Sequence, residues 1–174
     1  MRRDERAWIR GAQEGSVPDL EQLFRAHWPR AYRAAYLIVH DGAAAEDIAQ
    51  EAFIAAVRAL DRFDRRRPFA PWLHRIVTNR AIDWARARAA RGEVELTDLP
   101  THEDAANPGQ ATAIAARLLQ LPPEQRAVIV LRYLLEYTPG EIAELLELPR
   151  GTVNSRLRRG LDTLGETLDE AAGE

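Results

Sequence analysis

The segment Thr138 to Leu161, TPGEIAELLELPRGTVNSRLRRGL, leaves little freedom in what this chain can fold into. Thr138 is an N-cap, Pro139 fits a first helical position, and Glu141 stands three residues after the cap, which together make a capping box. Ile142, Ala143, Leu145 and Leu146 give that helix an apolar face. Pro149 starts a second helix, on which Val153, Leu157, Leu161 and Leu164 recur at three- and four-residue spacing and so face a core. Arg150, Thr152, Asn154, Ser155, Arg158 and Arg159 are left outward. The turn Leu146-Glu147-Leu148 has no glycine, so a left-handed residue there carries some strain. A short helix, a turn, and a second helix with a cationic, amide-bearing outer face is the geometry by which a helix-turn-helix enters a major groove.

Arginines on an amphipathic helix also serve as an ordinary solvated face. The window Arg150 to Gly160 goes further, with four arginines, no acid, and an amide and hydroxyl suited to base edges and phosphates. Duplex DNA is therefore the first candidate ligand.

The net charge of −3 fits a DNA binder only when resolved along the chain. Arg62 to Arg91 holds nine arginines against two aspartates. Glu93 to Asp104 and the tail from Asp162 to Glu174 are acidic. This pattern suggests two DNA-facing patches restrained by self-repulsion, or simply a solubilising surface. All 24 basic residues are arginine and there is no cysteine, so disulfides and thiolate metal sites are excluded and a reducing cytoplasm is expected. No apolar run approaches a membrane span, and MRRDERAWIR lacks a signal-peptide core.

The 174 residues suffice for one ordinary domain or two small ones. The stretch Gly92 to Gln110, polar, acidic and broken by Pro100, Pro108 and Gly109, reads as a flexible linker. Helical periodicity predicts helices at Arg3–Glu14, Pro18–Val39, Ala43–Leu60 and Pro68–Arg91 before it, and at Ala111–Gln120 and Pro123–Leu135 after it. The expectation is an all-α chain of two small helical domains: residues 1–92, a linker at 93–110, and a helix-turn-helix domain at 111–174.

Within the first domain, AEDIAQEAF (Ala45 to Phe53) is read as a helix start with acids favourably placed in the first turn. Ile48, Phe53, Val57 and Leu60 read as core, while Asp47, Gln50, Glu51 and Arg58 form a polar stripe suited to a partner protein. The loop DRFDRRRPF (Asp61 to Phe69) interleaves Arg62, Arg65, Arg66 and Arg67 with Phe63 and Phe69, offering phosphate anchors and stacking faces for single-stranded nucleic acid. Trp72, Arg75, Asn79, Arg80, Asp83, Trp84, Arg86 and Arg88 continue along one long helix. Trp72, Leu73, Ile76, Ile82 and Trp84 are equally candidates for the core. His27, His40, His74 and His102 show no partner pattern, and no metal site, triad or phosphate loop is present in the sequence, so neither cofactor nor catalysis is expected.

These pieces together resemble the extracytoplasmic-function family of bacterial RNA polymerase sigma factors. The likeness covers nearly the whole chain: AEDIAQEAF, ALDRFD (Ala59 to Asp64), PFAPWLHRIVTNRAID (Pro68 to Asp83), LPPEQRAVIVLRYL (Leu121 to Leu134), EIAELL and GTVNSRL, in that order. The resemblance implies that Asp47, Gln50, Glu51, Phe53 and Val57 dock on the largest subunit of core polymerase. It implies that Arg62, Phe63, Arg65, Arg66, Arg67, Phe69, Trp72, Asn79, Arg80, Asp83 and Arg86 read and open the −10 element, capturing flipped bases of the single-stranded non-template strand. Trp72 and Leu73 match a pair of tryptophans that wedge the melting duplex in primary sigma factors, so the leucine implies a weaker wedge. Arg150, Thr152, Asn154, Ser155, Arg158 and Arg159 match the reader of the −35 duplex, and Pro123–Leu135 the part near the flap of the second-largest subunit. An anti-sigma factor is a further implied partner. The competing readings are a stand-alone helix-turn-helix regulator that binds DNA without polymerase, and a helical protein–protein adaptor.

Overall fold

The computed structural model describes residues 3–92 and 116–172, with side chains placed in 4–92 and 116–165. Every regular element among them is helical. The first half comprises α1 (Arg3–Gln13), α2 (Val17–Val39), α3 (Gly42–Ala59), a 3-10 turn (Leu60–Arg62) and α4 (Phe69–Ala90). The second holds a helical turn at 116–119, α5 (Pro123–Ile129) running into a π-helical stretch (Val130–Leu134), α6 (Pro139–Leu146) and α7 (Arg150–Ala172). The expected linker lies outside the described residues, as does the first half of the helix expected at Ala111–Gln120.

Local chemistry sets the boundaries. Ser16 caps α2 by accepting from the Asp19 N–H at 3.4 Å, after a turn at Gly15 whose φ of 88° suits glycine. At its other end His40 is left-handed (φ 53°), and its N–H donates to the Tyr36 carbonyl. Asp41 caps α3, accepting from the Ala44 N–H at 2.9 Å. The helix therefore begins at Gly42, and Glu46 and Asp47 lie beyond its first turn, not in it as expected. The capping box of α6 is present: Glu141 accepts from the Thr138 N–H at 2.7 Å, and Thr138 Oγ1 from the Glu141 N–H at 3.3 Å. These bonds hold the Glu141 carboxyl below its usual range. Glu147, the middle residue of the glycine-free turn, is left-handed at φ 55°, so the turn forms despite the strain.

α2 is the central element, packed by α1, α3 and α4. Much of that packing is alanine: Ala31, Ala34 and Ala35 on α2, Ala45, Ala49, Ala52 and Ala56 on α3, and Ala81 on α4 are almost fully buried. Small side chains bring helix axes close, and Leu23, Ile38, Leu73 and Val77 fill the space between. In the second half, α5 packs on α7 beneath Ile142, Val153 and Leu157. A Cβ added at Gly160 would stand 2.6 Å from Ile129 Cδ1, so the two helices cross there at contact distance.

The two helical halves do not stand apart. α5 touches α2 and α4, α6 touches α4, and a single hydrophobic cluster runs from Ile9 to Leu157 across the seam.

Candidate DNA and partner interfaces

Three surfaces carry the predicted site residues. On α7, Arg150, Asn154, Arg158 and Arg159 are exposed and Thr152 and Ser155 half-buried, while Val153 and Leu157 are inside. The outward face is thus a cationic, hydrogen-bonding strip, positioned by the apolar stripe opposite.

On α4, Trp72, Arg75, Asn79, Asp83 and Arg86 are spaced three and four apart and share one face, with Asn79, Asp83 and Arg86 exposed and Trp72 and Arg75 partly so. Arg80 turns aside to α3 and pairs with Glu51 at 2.5 Å, joining a residue expected to face DNA to one expected to face polymerase. Arg62, Arg65, Arg66 and Arg67 are exposed on the preceding loop, where Asp64 Oδ1 accepts from the Arg66 N–H at 2.9 Å.

The two loop phenylalanines depart from expectation. Phe63 is 9% exposed and Phe69 3%, with ring centroids 5.8 Å apart, edge to face. They anchor the loop in the core and offer no free stacking face. Trp72 lies over Phe63 at 4.6 Å and keeps part of its surface outside. Leu73 is fully buried in the core. Trp84 is half-buried beneath the Arg88 guanidinium, 5.1 Å from the ring centroid.

The third surface is an apolar groove of about 420 Å³ between α2 and α3, lined by Leu20, Phe24, Gln50, Phe53, Ile54, Val57 and Arg58. Val57 is 42% exposed, which corrects its reading as core; Phe53 forms the floor at 6%. Leu20, Phe24 (39%) and Ile54 (49%) are the members that sequence reasoning missed. Ile54 follows Gln50 by one helical turn and was recoverable from that spacing; Phe24 comes from another helix and was not. Asp47, Gln50 and Glu51 are exposed on α3, with Gln50 donating to Glu46 at 3.2 Å.

The seam between the halves is held by several chemistries. Arg126, 6% exposed, donates to the carbonyls of Leu118, Leu119, Leu121 and, across the seam, Ile38 near the end of α2. Burial lowers its pKa to about 10. The α2 C-terminus presents carbonyl oxygens and a negative dipole end, which suits a buried guanidinium. His74 on α4 hydrogen-bonds Tyr137 Oη at 2.7 Å. Burial, then the charges of His27 and Arg30, bring the His74 pKa down to about 4, and burial raises that of Tyr137. Arg75 pairs with Glu147 at 2.6 Å and Arg86 with Glu124 at 2.5 Å. Burial works to raise the Glu124 carboxyl, but its hydrogen bonds and the charges of Arg86 and Arg156 outweigh this and hold it low. His27, too, has a partner, Glu5 at 2.9 Å, and His40 packs on the Tyr36 ring, so, contrary to expectation, none of the described histidines is isolated. An open cleft of about 800 Å³ beside the seam brings Arg62, Arg67 and Trp72 opposite Tyr137, Glu141 and Glu144.

No group of side chains suited to a metal ion occurs among the described residues, and none of their helices is long and apolar enough to cross a membrane.

Residues 23–91 match the Sigma-70 region 2 family, and residues 111–164 match Sigma-70, region 4. The chain is 34% identical to the ECF RNA polymerase sigma factor SigW of Bacillus subtilis (strain 168), over 92% of this chain and 94% of that one. It is 32% identical to the ECF RNA polymerase sigma factor SigL of Mycobacterium tuberculosis (strain ATCC 25618 / H37Rv), over 94% and 97%. The fold superposes on CnrH, solved in complex with the cytosolic domain of CnrY, with a TM-score of 0.74 and 30% identity over 96% of this chain and 98% of that chain. It also shares its fold with the sigma factor RpoE of Bartonella quintana, solved in complex with the anti-sigma factor NepR, at a TM-score of 0.72 and 23% identity over 88% and 98%. A likeness spanning both regions, with an outward cationic helix face in one and an arginine-lined helix face in the other, means that the chain belongs to the ECF RNA polymerase sigma factors, regulatory proteins that direct promoter-specific transcription.

Proposed function

We propose that the three surfaces divide the work of initiation among them. The groove between α2 and α3, rimmed by Asp47, Gln50 and Glu51 and floored by Phe53 with Val57 at its side, docks on the largest subunit of core polymerase. Residues 1–92 act as one unit, 93–110 as a tether, and 111–174 as the second unit, whose α5 lies near the flap of the second-largest subunit. The exposed strip of Arg150, Thr152, Asn154, Ser155, Arg158 and Arg159 reads the −35 duplex by bidentate and phosphate contacts.

The observation that carries the reading is the α4 face. Asn79, Asp83 and Arg86 are exposed in mid-helix beside four loop arginines, where they add nothing to the core and offer edge hydrogen bonds to extruded bases. Arg62, Arg65, Arg66 and Arg67 hold the backbone, Trp72 supplies the remaining stacking surface, and Phe63 and Phe69 support the loop from beneath. Polymerase performs the chemistry, so this chain is non-catalytic, needs no cofactor, and works in the cytoplasm where polymerase does. The RpoE of Bartonella quintana, which shares this fold and was solved with the anti-sigma factor NepR, supports an anti-sigma partner here, one that covers both polymerase-binding faces.

Run-off transcription with core polymerase, on the promoter upstream of the chain's own gene, tests this. A transcript that requires both proteins and vanishes in Arg80→Ala and in Gln50→Ala is expected. Salt-sensitive duplex binding by the chain alone, with no transcript, would make it a stand-alone regulator instead.

A further inference from the structure

The loop that carries Arg62, Arg65, Arg66 and Arg67 is held by a residue outside the stretch that matches Sigma-70 region 2. Gln13 is the last residue of α1, and the match begins only at residue 23. The Gln13 Nε2 donates to the Leu60 carbonyl at 2.8 Å and to the Phe63 carbonyl at 3.0 Å. Both partners are acceptors, so the amide must present its nitrogen to them, and both of its N–H bonds are used. The Leu60 carbonyl also accepts from the Phe63 N–H at 2.9 Å, which closes the 3-10 turn. One amide thus ties together the carbonyl that opens the turn and the carbonyl that follows it. Ile9, one helical turn earlier and fully buried, sets the register that aims Gln13 at the loop. Beyond the clamp the loop fastens itself: Asp64 Oδ1 accepts from the Arg66 N–H and the Asp64 carbonyl from the Arg67 N–H, each at 2.9 Å.

We propose that Gln13 is a positioning residue for promoter opening. By clamping the Leu60 and Phe63 carbonyls it presets the backbone of the arginine loop beside Trp72, so that the phosphates of a separating strand meet donors already in place. The inference rests on the reading of this loop and α4 as the −10 surface. Without the clamp, the loop must be ordered at the moment the strands separate, and the lost conformational freedom opposes that step. Docking through the α2–α3 groove and duplex reading through α7 use other elements. The effect therefore falls on opening and not on assembly.

The test uses the full chain assembled with core polymerase, on the promoter fragment of the transcription assay. Gln13→Leu removes the donor at nearly constant size. It is expected to slow permanganate-detected opening about tenfold, the size expected for two partly exposed hydrogen bonds, with core-polymerase affinity unchanged. Gln13→Lys returns a donor of similar reach and should recover most of the rate. Gln13→Leu/Glu14→Gln has the same net charge as Gln13→Lys but no donor, and should stay slow. Because the chain lacks cysteine, a nitroxide on Asp61→Cys, in the turn itself, reports the clamp directly. Its spectrum should sharpen when Gln13→Leu is added and stay broad with Gln13→Lys. Opening at the parent rate in Gln13→Leu, recovery in the charge-matched double variant, or an unaltered nitroxide spectrum overturns the inference. A loss of core-polymerase affinity as large as the loss of opening rate overturns it too, since Gln13 would then support the whole first half. Arg65→Ala/Arg66→Ala/Arg67→Ala separates the two ideas. If that variant opens the promoter normally, the reading of the loop fails and the clamp with it; if it opens slowly while Gln13→Leu does not, the clamp alone fails.

Discussion

The imidazole of His74 and the phenol of Tyr137 meet at 2.7 Å, tilted nearly edge to face, across a seam that separates them by 63 residues of sequence. The His74 Nε2 is buried without a hydrogen-bond partner among the described residues, and His27 and Arg30 add positive potential. Every one of these factors favours the neutral ring.

Acid should therefore loosen the chain. The folded pKa of His74, about 4, lies below the ordinary value of 6.5, so the unfolded state binds the extra proton first. The stability tied to a neutral His74 is intact above pH 6.5 and is lost as pH falls toward 4, with roughly 2 kcal/mol gone by pH 5. Burial also lowers the His27 pKa, although Glu5 opposes it, so His27 acts in the same direction. Urea melts at pH 7 and pH 5 should show this loss in the parent chain and much less of it in His74→Phe. Identical pH dependence in the two would exclude His74 as the source.

Arg126→Met should cost about 3 kcal/mol, because it leaves several inward-facing carbonyls without their donor. Arg126→Lys, with one point charge in place of a fork, should recover only part of this. Denaturant midpoints give both values. A loss below about 0.5 kcal/mol in Arg126→Met would show that water replaces the guanidinium without penalty.

In the groove, Ile54→Asp and Val57→Asp change side chains that are already half in solvent. The melting temperature should move little, while affinity for core polymerase falls by roughly 100-fold through a charge placed in an apolar contact. Co-elution with core polymerase reads this directly, and undiminished binding would move the docking surface elsewhere.

For the recognition strip, Arg158→Ala should cost about 1–3 kcal/mol of promoter affinity in the assembled holoenzyme and relax the preference at one −35 position. Competition binding against single-base variants of the promoter checks it. A loss uniform across all variants would make Arg158 a phosphate contact.

Much of the architecture was legible because local signals carried it. The Thr138–Glu141 box and the ends of α2 and α4 follow from capping and periodicity within a few residues. The start of α3 was placed within one residue, but Glu46 and Asp47 were put in its first turn because the cap at Asp41 precedes the first apolar repeat. Phe63 and Phe69 were set outward because an irregular loop has no period to say which rings turn in. Nothing local could announce the seam. Arg126 finds Ile38 at a separation of 88 residues, and its acceptors are backbone carbonyls, which every residue possesses and no side-chain pattern marks.

The acceptors of Arg126 have a consequence for how the halves come apart. A guanidinium held by carbonyl dipoles in a dry setting is little affected by dissolved ions, whereas the Arg75–Glu147 and Arg86–Glu124 pairs are open to screening. Rising salt therefore slackens the outer edges of the seam first and leaves its middle in place. The chain then loosens at its rims alone, while the buried Arg126–Ile38 and His74–Tyr137 contacts keep the second half fastened to α2 and α4.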